Sequence, residues 1–311
     1  MSTLAIHAQQ LTKRFGDEIA VNEVSFELPQ GKIMGLIGPS GCGKTSILRL
    51  TLGIYKPSSG DIRLLGHKPS EFAPKDRQKM GYMPQLFVLY PQLTVWENLN
   101  FAASMYGLPL RNREKRLAEV LAFVDLQEHR QKLARNISGG MQRRLSLAAT
   151  LVHQPKYVFL DEPTAGVDPI LRKRFWDHFV ALRDAGHTLL VTTQYVGEAA
   201  YCDLVGVMAK GRMLMVETPG NLRKRAYGGE IINFVGQQTL THDHIQQLQA
   251  MPFVKAAITQ QSATQLRLIV DEASTAMPVL THWANDAGVG LEAIEEIVPP
   301  FDDVFVQIVS K

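Results

Sequence analysis

Eight consecutive residues carry most of the information about this chain, and they read Gly38-Pro39-Ser40-Gly41-Cys42-Gly43-Lys44-Thr45. They match the pattern G-x-x-x-x-G-K-[ST], in which glycines let the backbone wrap so that successive N–H groups point at phosphate oxygens. An apolar strand is predicted directly before the pattern, at residues 32–37, and a helix directly after it, at 44–53. The pattern works in this strand-loop-helix context, so the sequence predicts a phosphate-binding loop, or P-loop.

Two side chains of this loop have predicted roles. Lys44 is expected to reach the β- and γ-phosphates of a nucleoside triphosphate and so to act in catalysis, and the Thr45 hydroxyl is expected to ligate Mg²⁺. The helix that begins near Lys44 directs the positive end of its dipole at the same place. The predicted binding set comprises residues 38–45 together with Ser46.

A second predicted strand ends in two acidic residues. Residues 157–160 are apolar, and Asp161 and Glu162 follow them directly. Asp161 is expected to belong to the Mg²⁺ shell, often through water. Glu162 is then placed to polarise the attacking water as general base, a role worth about 10²–10⁴ in rate, or roughly 3–5 kcal/mol of barrier. With the upstream loop, this acid pair predicts a P-loop NTPase.

Strands and helices alternate along the first part of the chain, which favours a mainly parallel sheet covered on both faces. Residues 86–154 are mostly helical in pattern, and helices are also expected at 169–185 and 196–202. Besides 32–37, strands are predicted at 4–9, 19–28, 156–160, 188–192, 204–208 and 213–217, the last two as a hairpin.

A smaller domain is predicted after a boundary at residues 218–229, where glycines and a proline flank a basic stretch. Its elements follow the order β-α-β-β-α-β of the ferredoxin-like pattern, with an amphipathic helix at 301–309. We therefore expect an α/β domain at 1–227, with a helical subdomain at about 86–155, and an α+β domain at 228–311. The predicted elements of the second domain are strands at 231–235, 254–259, 266–270 and 291–298 and helices at 242–250 and 274–286.

Composition narrows the function classes. The 311 residues are enough for two domains, and 33 Lys+Arg against 30 Asp+Glu leave a net charge of +3. The charges are mixed along the chain, so no nucleic-acid partner is expected. The sequence has no run of 18 apolar residues and no signal-like N-terminus, so neither a membrane span nor secretion is expected. Two cysteines, Cys42 and Cys202, fit a reducing cytosol.

Between the two nucleotide motifs lies a second predicted anion site. Ser138 is a good N-cap, and Gly139 and Gly140 expose the N–H groups of the first helical turn. Together with the P-loop and the acid pair, this segment resembles the ABC-type ATPases over residues 4 to about 217. In that family the serine-glycine-glycine signature of one copy closes over ATP held by the P-loop of another. The resemblance implies ATP and Mg²⁺ as cofactors and a homodimer as the working form.

Three further positions are similar to family motifs. Phe15 lies 23 residues before Gly38, where the family places an aromatic ring that stacks on adenine. Gln85 resembles the Q-loop glutamine that touches Mg²⁺ and the water, and Asp168 lies in a segment similar to the D-loop that crosses the dimer interface. The resemblance therefore adds Phe15, Gln85, Ser138, Gly139, Gly140 and Asp168 to the binding set, and makes Thr45, Gln85 and Asp161 the metal set.

Two positions depart from the common family pattern. Met141 replaces the glutamine that usually ends the signature, and Gln194 stands where a catalytic histidine usually faces the γ-phosphate. Glutamine donates a hydrogen bond but carries no charge, so we expect about 1 kcal/mol less transition-state support and slower hydrolysis. Both departures, with Tyr195, Glu198 and the small C-terminal domain, resemble the drug-export branch, the daunorubicin-resistance type.

The resemblance implies an ATP-hydrolysing subunit, peripheral on the cytoplasmic face of the membrane, that powers a separate integral-membrane permease, usually for export. A soluble ABC-type ATPase acting on ribosomes or DNA is one alternative, although such proteins usually carry fused ATPase halves or a long coiled-coil insertion. A regulatory nucleotide sensor is another, which Gln194 keeps open. Two local alternatives also stand: residues 86–96 form local core or a permease groove, and Cys42 is redox-sensitive or merely a small tolerated residue.

Overall fold

Three sheets carry the fold of residues 3–310, the part of the chain that this computed structural model describes. Two compact units divide at the Glu217–Thr218 junction. The strands of the first unit are β1 (Leu4–Phe15), β2 (Glu18–Pro29), β3 (Ile33–Ile37), β4 (Ser59–Leu64), β5 (Met80–Met83), β6 (Tyr157–Asp161), β7 (Thr188–Thr193), β8 (Leu204–Ala209) and β9 (Arg212–Glu217). Its helices are α1 (Lys44–Thr51), α2 (Pro74–Arg77), α3 (Val95–Met105), α4 (Leu110–Phe123), α5 (Gly139–Leu151) and α6 (Pro169–Asp184).

The larger sheet of this unit has six strands in the order β5-β6-β7-β3-β8-β9. Its first five strands run parallel, and β9 pairs antiparallel with β8 as the predicted hairpin. Every residue of β3, β6 and β7 is buried, as expected for strands covered on both faces. The predicted α/β fold is confirmed, and the carboxyl ends of these three adjacent strands meet at one edge, where ligands bind in open parallel sheets.

A three-stranded antiparallel sheet, β2-β1-β4, packs its apolar residues into a common core with β3 and α1. Strands β4 and β5 were not among the predicted strands. The first is a polar hexapeptide, SGDIRL, and the second has only four residues, so neither gives a clear periodic pattern. The predicted helix at 196–202 is a 3-10 turn, Val196–Tyr201.

Residues 86–155 contain α3, α4 and α5, which pack on one another. A capping box starts α3, with the Thr94 hydroxyl accepting from the Glu97 amide at 3.1 Å. Ser138 caps α5 with a single hydrogen bond, its hydroxyl accepting from the Met141 amide at 3.3 Å. No helix within residues 3–310 is long and apolar enough to cross a membrane.

The second unit has the strand order β11-β12-β10-β13, with every neighbouring pair antiparallel. This is the arrangement that a split βαβ pattern produces. The predicted strand at 254–259 is shorter than expected: one isolated bridge joins Val254 to Val270, and the regular pairing covers two residues. The elements are α7 (Pro219–Tyr227), β10 (Glu230–Gly236), α8 (His242–Gln249), β11 (Thr259–Gln260), β12 (Gln265–Val270), α9 (Ala273–Asp286), β13 (Leu291–Ile297) and α10 (Phe301–Val309).

The boundary between the units lies ten residues earlier than the predicted 227/228 division, because the expected linker is helix α7. Thr218 caps this helix through the Asn221 amide, and Leu222 is buried. The Arg223 guanidinium lies 4.0 Å from the centroid of the Phe301 ring on α10. Helix α7 therefore packs with the second unit rather than extending the first.

Candidate nucleotide-binding site

The loop between β3 and α1 has a backbone that only glycine permits at two places. Gly38 has φ 157°, and a Cβ there would lie 2.3 Å from the Met208 carbonyl oxygen. Gly43 has φ 102°, and a Cβ there would lie 2.4 Å from the Ala20 carbonyl oxygen. A side chain at either position would collide with backbone, so these glycines let the loop sit directly against β8 and β2.

Lys44 begins α1 and is almost fully buried. Its ammonium donates to the carbonyl oxygens of Gly38 at 2.7 Å and Pro39 at 2.9 Å, and lies 3.8 Å from the Cys42 sulfur, a weak acceptor. The lysine charge is thus held at the loop by neutral groups. Anionic phosphate oxygens are stronger acceptors than these carbonyls, so the arrangement fits the predicted contact with phosphates.

Asp161, at the end of β6, is fully buried. One carboxylate oxygen, Oδ1, accepts hydrogen bonds from the Thr45 hydroxyl at 3.0 Å and the Thr192 hydroxyl at 2.6 Å. The other, Oδ2, has no hydrogen-bond partner among the residues that the structure describes. A buried carboxylate oxygen of this kind needs a partner, and Mg²⁺ prefers oxygen ligands. Asp161 and Thr45 therefore fit a magnesium site.

Glu162 follows Asp161 and is 9% exposed. Its Oε2 accepts a hydrogen bond from the Gln85 amide nitrogen at 3.1 Å, which joins two residues that are 77 positions apart. The backbone of Glu162 has φ 51°, in the left-handed region that side-chain-bearing residues rarely adopt. Its amide donates to the carbonyl oxygen and the hydroxyl of Thr192, each at 3.0 Å.

Lys44, Thr45 and the Gln85–Glu162 pair face a common cleft of about 290 Å³, and Asp161 contacts it through its hydrogen bond from Thr45. Phe15 stands at the margin of this cleft and is 42% exposed. Its ring packs edge-on against that of Tyr55, with the two ring centroids 5.1 Å apart, and the Lys13 ammonium lies 5.0 Å from the centroid of the Phe15 ring. The exposed ring is available for stacking on a base. The cleft is lined by Phe15, Glu18, Ala20, Ser40, Gly41, Gly43, Lys44, Thr45, Ser46, Gln85 and Glu162.

Gln194 lies just past the end of β7, and its side chain is exposed. Its amide oxygen accepts a hydrogen bond from the Ser40 hydroxyl of the P-loop at 3.2 Å. The residue in the usual histidine position therefore touches the phosphate loop. It does so through the neutral oxygen of its amide.

Ser138, Gly139 and Asp168 are exposed. Among the described residues, the signature segment 138–140 and Asp168 do not line the nucleotide cleft. A Cβ on Gly140 would lie 3.3 Å from the Gly166 carbonyl oxygen, so the start of α5 packs closely on the predicted D-loop. Asp168 caps α6 by accepting from the Leu171 amide at 3.0 Å. One copy of the chain thus holds the P-loop and the signature as separate surfaces.

Cys42 is buried in the loop, and burial raises the pKa of its thiol above the ordinary value even though Lys44 lowers it. A thiol with a raised pKa holds little of the reactive thiolate at neutral pH. The pKa shift favours the interpretation of Cys42 as a small tolerated residue over a redox sensor.

Two residues that support the site were not among the predicted site residues. Thr192 faces Asp161 across the β6–β7 ladder, in a register that pairs these two positions. Arg143, on α5, donates to main-chain carbonyls on both sides of the site. The sequence offered one indication for Thr192, its position at the end of a predicted strand. For Arg143 it offered no indication beyond a position in a helix.

A phosphate loop, a buried aspartate that fits Mg²⁺ and an adjacent glutamate, all at the carboxyl edge of a parallel sheet, define a P-loop nucleotide-binding protein. Residues 21–165 match the family described as ABC transporter. The chain is 38% identical over 225 residues to the probable multidrug ABC transporter ATP-binding protein YbhF of Escherichia coli K12, which covers 72% of this chain and 39% of that one. It is 36% identical over 228 residues, 73% of each chain, to the linearmycin resistance ATP-binding protein LnrL of Bacillus subtilis. The chain belongs to the ABC transporter ATP-binding proteins, in the branch that includes these drug-export relatives.

The fold agrees with this assignment. The dimeric structure of MJ0796, a bacterial ABC transporter cassette, superposes with a TM-score of 0.63 at 25% identity, over 68% of this chain and 98% of that one. The chain spans about two fifths of the length of YbhF and about three quarters of LnrL.

Proposed function

We propose that this protein hydrolyses ATP as a homodimer with Mg²⁺ and powers a separate integral-membrane permease, in the direction of export. The observation that carries the proposal is that the Lys44 loop and the Gln85–Glu162 pair line one cleft, with the buried Asp161 hydrogen-bonded to Thr45 of that cleft. The names of YbhF and LnrL, a multidrug transporter protein and a linearmycin resistance protein, support export as the direction.

Each side chain of the site has a separate proposed role in ATP hydrolysis. Lys44 binds the β- and γ-phosphates, and Thr45 and Asp161 hold Mg²⁺, which neutralises phosphate charge when bound. Glu162 accepts the proton of the attacking water, and Gln85 orients that carboxylate by donating to Oε2. Gln194 donates its amide hydrogens toward the phosphates and keeps Ser40 in place through its oxygen.

A second copy of the chain is required to complete each site. The exposed Ser138 and Gly139 lie at the N-terminal end of α5, where amide N–H groups form an anion site that their own cleft does not use. Closing this surface over the P-loop of the other copy gives two composite sites. The dimer of the related cassette MJ0796 supports this arrangement.

The segment after Gln85 supports docking of a membrane partner. Of its apolar side chains, Leu86 is 74% and Val88 is 65% exposed, whereas Val95 is fully buried. The beginning of the stretch therefore supports the partner-surface interpretation, and its end belongs to the local core. Tyr90 is also exposed and packs on Phe101 of α3, with the ring centroids 4.9 Å apart. An exposed apolar patch of this kind marks an interaction site. We assign it to the permease, which places the protein peripherally on the cytoplasmic face of the membrane.

The exchange Glu162→Gln tests the proposal, because it removes the general base and keeps the shape of the side chain. We expect ATP turnover to fall by about 10²–10⁴-fold. We also expect an ATP-bound dimer to accumulate in size-exclusion chromatography with ATP and Mg²⁺. Glu119→Gln, a change of a half-exposed carboxylate on α4, is the matched control and should leave both unchanged.

Two outcomes would contradict the proposal. A monomeric Glu162→Gln protein in ATP and Mg²⁺ would exclude the composite dimer sites. A wild-type protein that binds ATP but shows no turnover, with or without its permease, would favour the regulatory nucleotide sensor instead.

A further inference from the structure

Arg143 uses its whole guanidinium on main-chain carbonyl groups. Its Nε donates to the Glu162 carbonyl and its Nη1 to the Pro84 carbonyl, each at 3.1 Å. Its Nη1 also donates to the Gln85 carbonyl, and its Nη2 to the carbonyls of Asp161 and Glu162. One side chain on α5 thereby holds two segments that are distant in sequence, the end of β5 with the following loop and the end of β6.

These two segments carry the two halves of one catalytic pair. Gln85 donates to the Glu162 carboxylate at 3.1 Å, and the carbonyl of each of these residues accepts from Arg143. The distance between the orienting amide and the base is therefore set from the backbone by a third residue, in addition to their own hydrogen bond.

The backbone of Glu162 needs such support. A φ of 51° is unfavourable for an L-residue with a side chain, and a conformation of this kind persists only where its surroundings hold it. Thr192 holds the amide side of Glu162, and Arg143 holds the carbonyl side. Without Arg143 the Glu162 carbonyl loses two hydrogen-bond donors, the Nε and Nη2 of that arginine. The peptide that directs the Glu162 carboxylate into the cleft is then freer to rotate.

Arg143 also lies one turn after Gly139, at the end of α5 that carries the signature. Lysine could not replace it, because one ammonium group has three donors at a single point, whereas the planar guanidinium spreads five donors over a fork. We propose that Arg143 is a positioning residue that fixes the Gln85–Glu162 geometry and links the signature helix to the general base. This inference rests on the proposed ATPase function and deepens it.

The test compares Arg143 with its neighbour Arg144. Arg144 stands on the same helix and also donates to main-chain carbonyls, those of Val124 at 3.1 Å and Asp125 at 3.0 Å, and it pairs with the Asp125 carboxylate at 3.3 Å. Within residues 3–310, none of its hydrogen bonds reaches Gln85 or Glu162. Arg143→Met and Arg144→Met therefore both remove arginine hydrogen bonds to main-chain carbonyls from one helix, and Arg144→Met removes an exposed ion pair with Asp125 as well. Arg143→Lys retains the charge and much of the stem, and serves in the comparison if the methionine variant does not fold.

We expect kcat for ATP hydrolysis to fall by about 10²-fold in Arg143→Met and Arg143→Lys, since displacement of a catalytic group by about 1 Å has effects of that size. KM for ATP should stay close to the wild-type value, because Phe15 and Lys44 are untouched. Arg144→Met should alter kcat by no more than about twofold. If Arg143 acts through the base, the double variant Arg143→Met/Glu162→Gln should be no slower than Glu162→Gln alone.

Three results would overturn the inference: an unchanged kcat in the Arg143 variants, an equal loss in Arg144→Met, or a further loss in the double variant. Failure of the proposed function gives a different pattern. In that case the wild-type protein itself has no turnover, whereas an active Arg143→Met beside an inactive Glu162→Gln overturns the positioning role alone.

Discussion

The hydroxyl of Thr192 joins the two acidic residues of the site. It donates to Asp161 Oδ1 at 2.6 Å and accepts from the Glu162 amide at 3.0 Å, in a fully buried position. Thr192→Val replaces the hydroxyl with a methyl group of similar size, so the substitution removes these two hydrogen bonds with little change in packing.

The expected loss of stability follows from what remains. The Glu162 amide keeps the Thr192 carbonyl as acceptor at 3.0 Å, so it is not left unpaired. Asp161 keeps the Thr45 hydroxyl but loses a hydrogen bond to an ionised group, which contributes about 1.5–3 kcal/mol. We expect the free energy of unfolding to fall by about 2 kcal/mol, which lowers Tm by about 4–8 °C in a unit of this size.

Thr51→Val is the matched control. Thr51 is also fully buried, but its hydroxyl donates to the Ile47 carbonyl at 2.9 Å within α1, a neutral hydrogen bond worth about 0.5–1.5 kcal/mol. Urea unfolding of both variants measures the difference. A Thr192→Val protein that loses no more stability than Thr51→Val would refute the claim that the hydroxyl supports a charged group.

The same hydroxyl orients the carboxylate that fits Mg²⁺. Loss of a group that orients a metal ligand costs about 10–100-fold in metal affinity. The Mg²⁺ concentration for half-maximal ATP turnover should therefore rise by about tenfold or more in Thr192→Val and stay unchanged in Thr51→Val. An equal Mg²⁺ dependence in wild type and Thr192→Val would show that Asp161 is positioned without Thr192.

Two further predictions concern Gln194 and His153. Gln194→Ala should lower ATP turnover because the contact with Ser40 and the amide donors are lost, whereas Gln194→His should keep or raise it; equal steady-state rates for Gln194→Ala and wild type would contradict the assignment. Burial lowers the pKa of His153 to about 4 in the folded chain, below the value of about 6.5 in the unfolded chain. Between these two pH values the unfolded chain binds a proton that the folded chain does not. The free energy of unfolding therefore falls by up to about 3 kcal/mol as the pH drops from about 6.5 to about 4. His153→Phe, which retains an aromatic ring against Tyr106, should make this fall shallower in urea titrations at several pH values, and an unchanged slope would exclude His153 as its cause.

The parts of the site that face a ligand could be predicted from the sequence because their chemistry depends on residue type and short spacing. Glycines and a lysine within eight residues indicate a phosphate loop, and Asp161 and Glu162 directly after an apolar strand indicate a metal ligand and a base. The order of most elements in both units followed from their periodicity, but β4 and β5 gave no clear periodic pattern and were missed. Helix α7 was missed because its polar composition resembles a linker, although Thr218 at its N-cap and Pro219 at its first position are typical helix-start signals.

The supports of the site could not be predicted, and the reason is physical. Thr192 meets Asp161 only because the β6–β7 register pairs two positions that lie 31 residues apart, and a slip of one residue would turn its side chain to the other face. Arg143 binds backbone carbonyls, which every residue possesses, so its partners carry no mark of their own in the sequence. The left-handed φ of Glu162 could not be predicted either, because a glutamate in a sequence does not indicate such a backbone conformation. A residue that binds a ligand must be of one chemical type, which the sequence shows. A residue that holds this ligand-binding residue in place need only lie close to it, and closeness between residues far apart in sequence is a property of the folded chain.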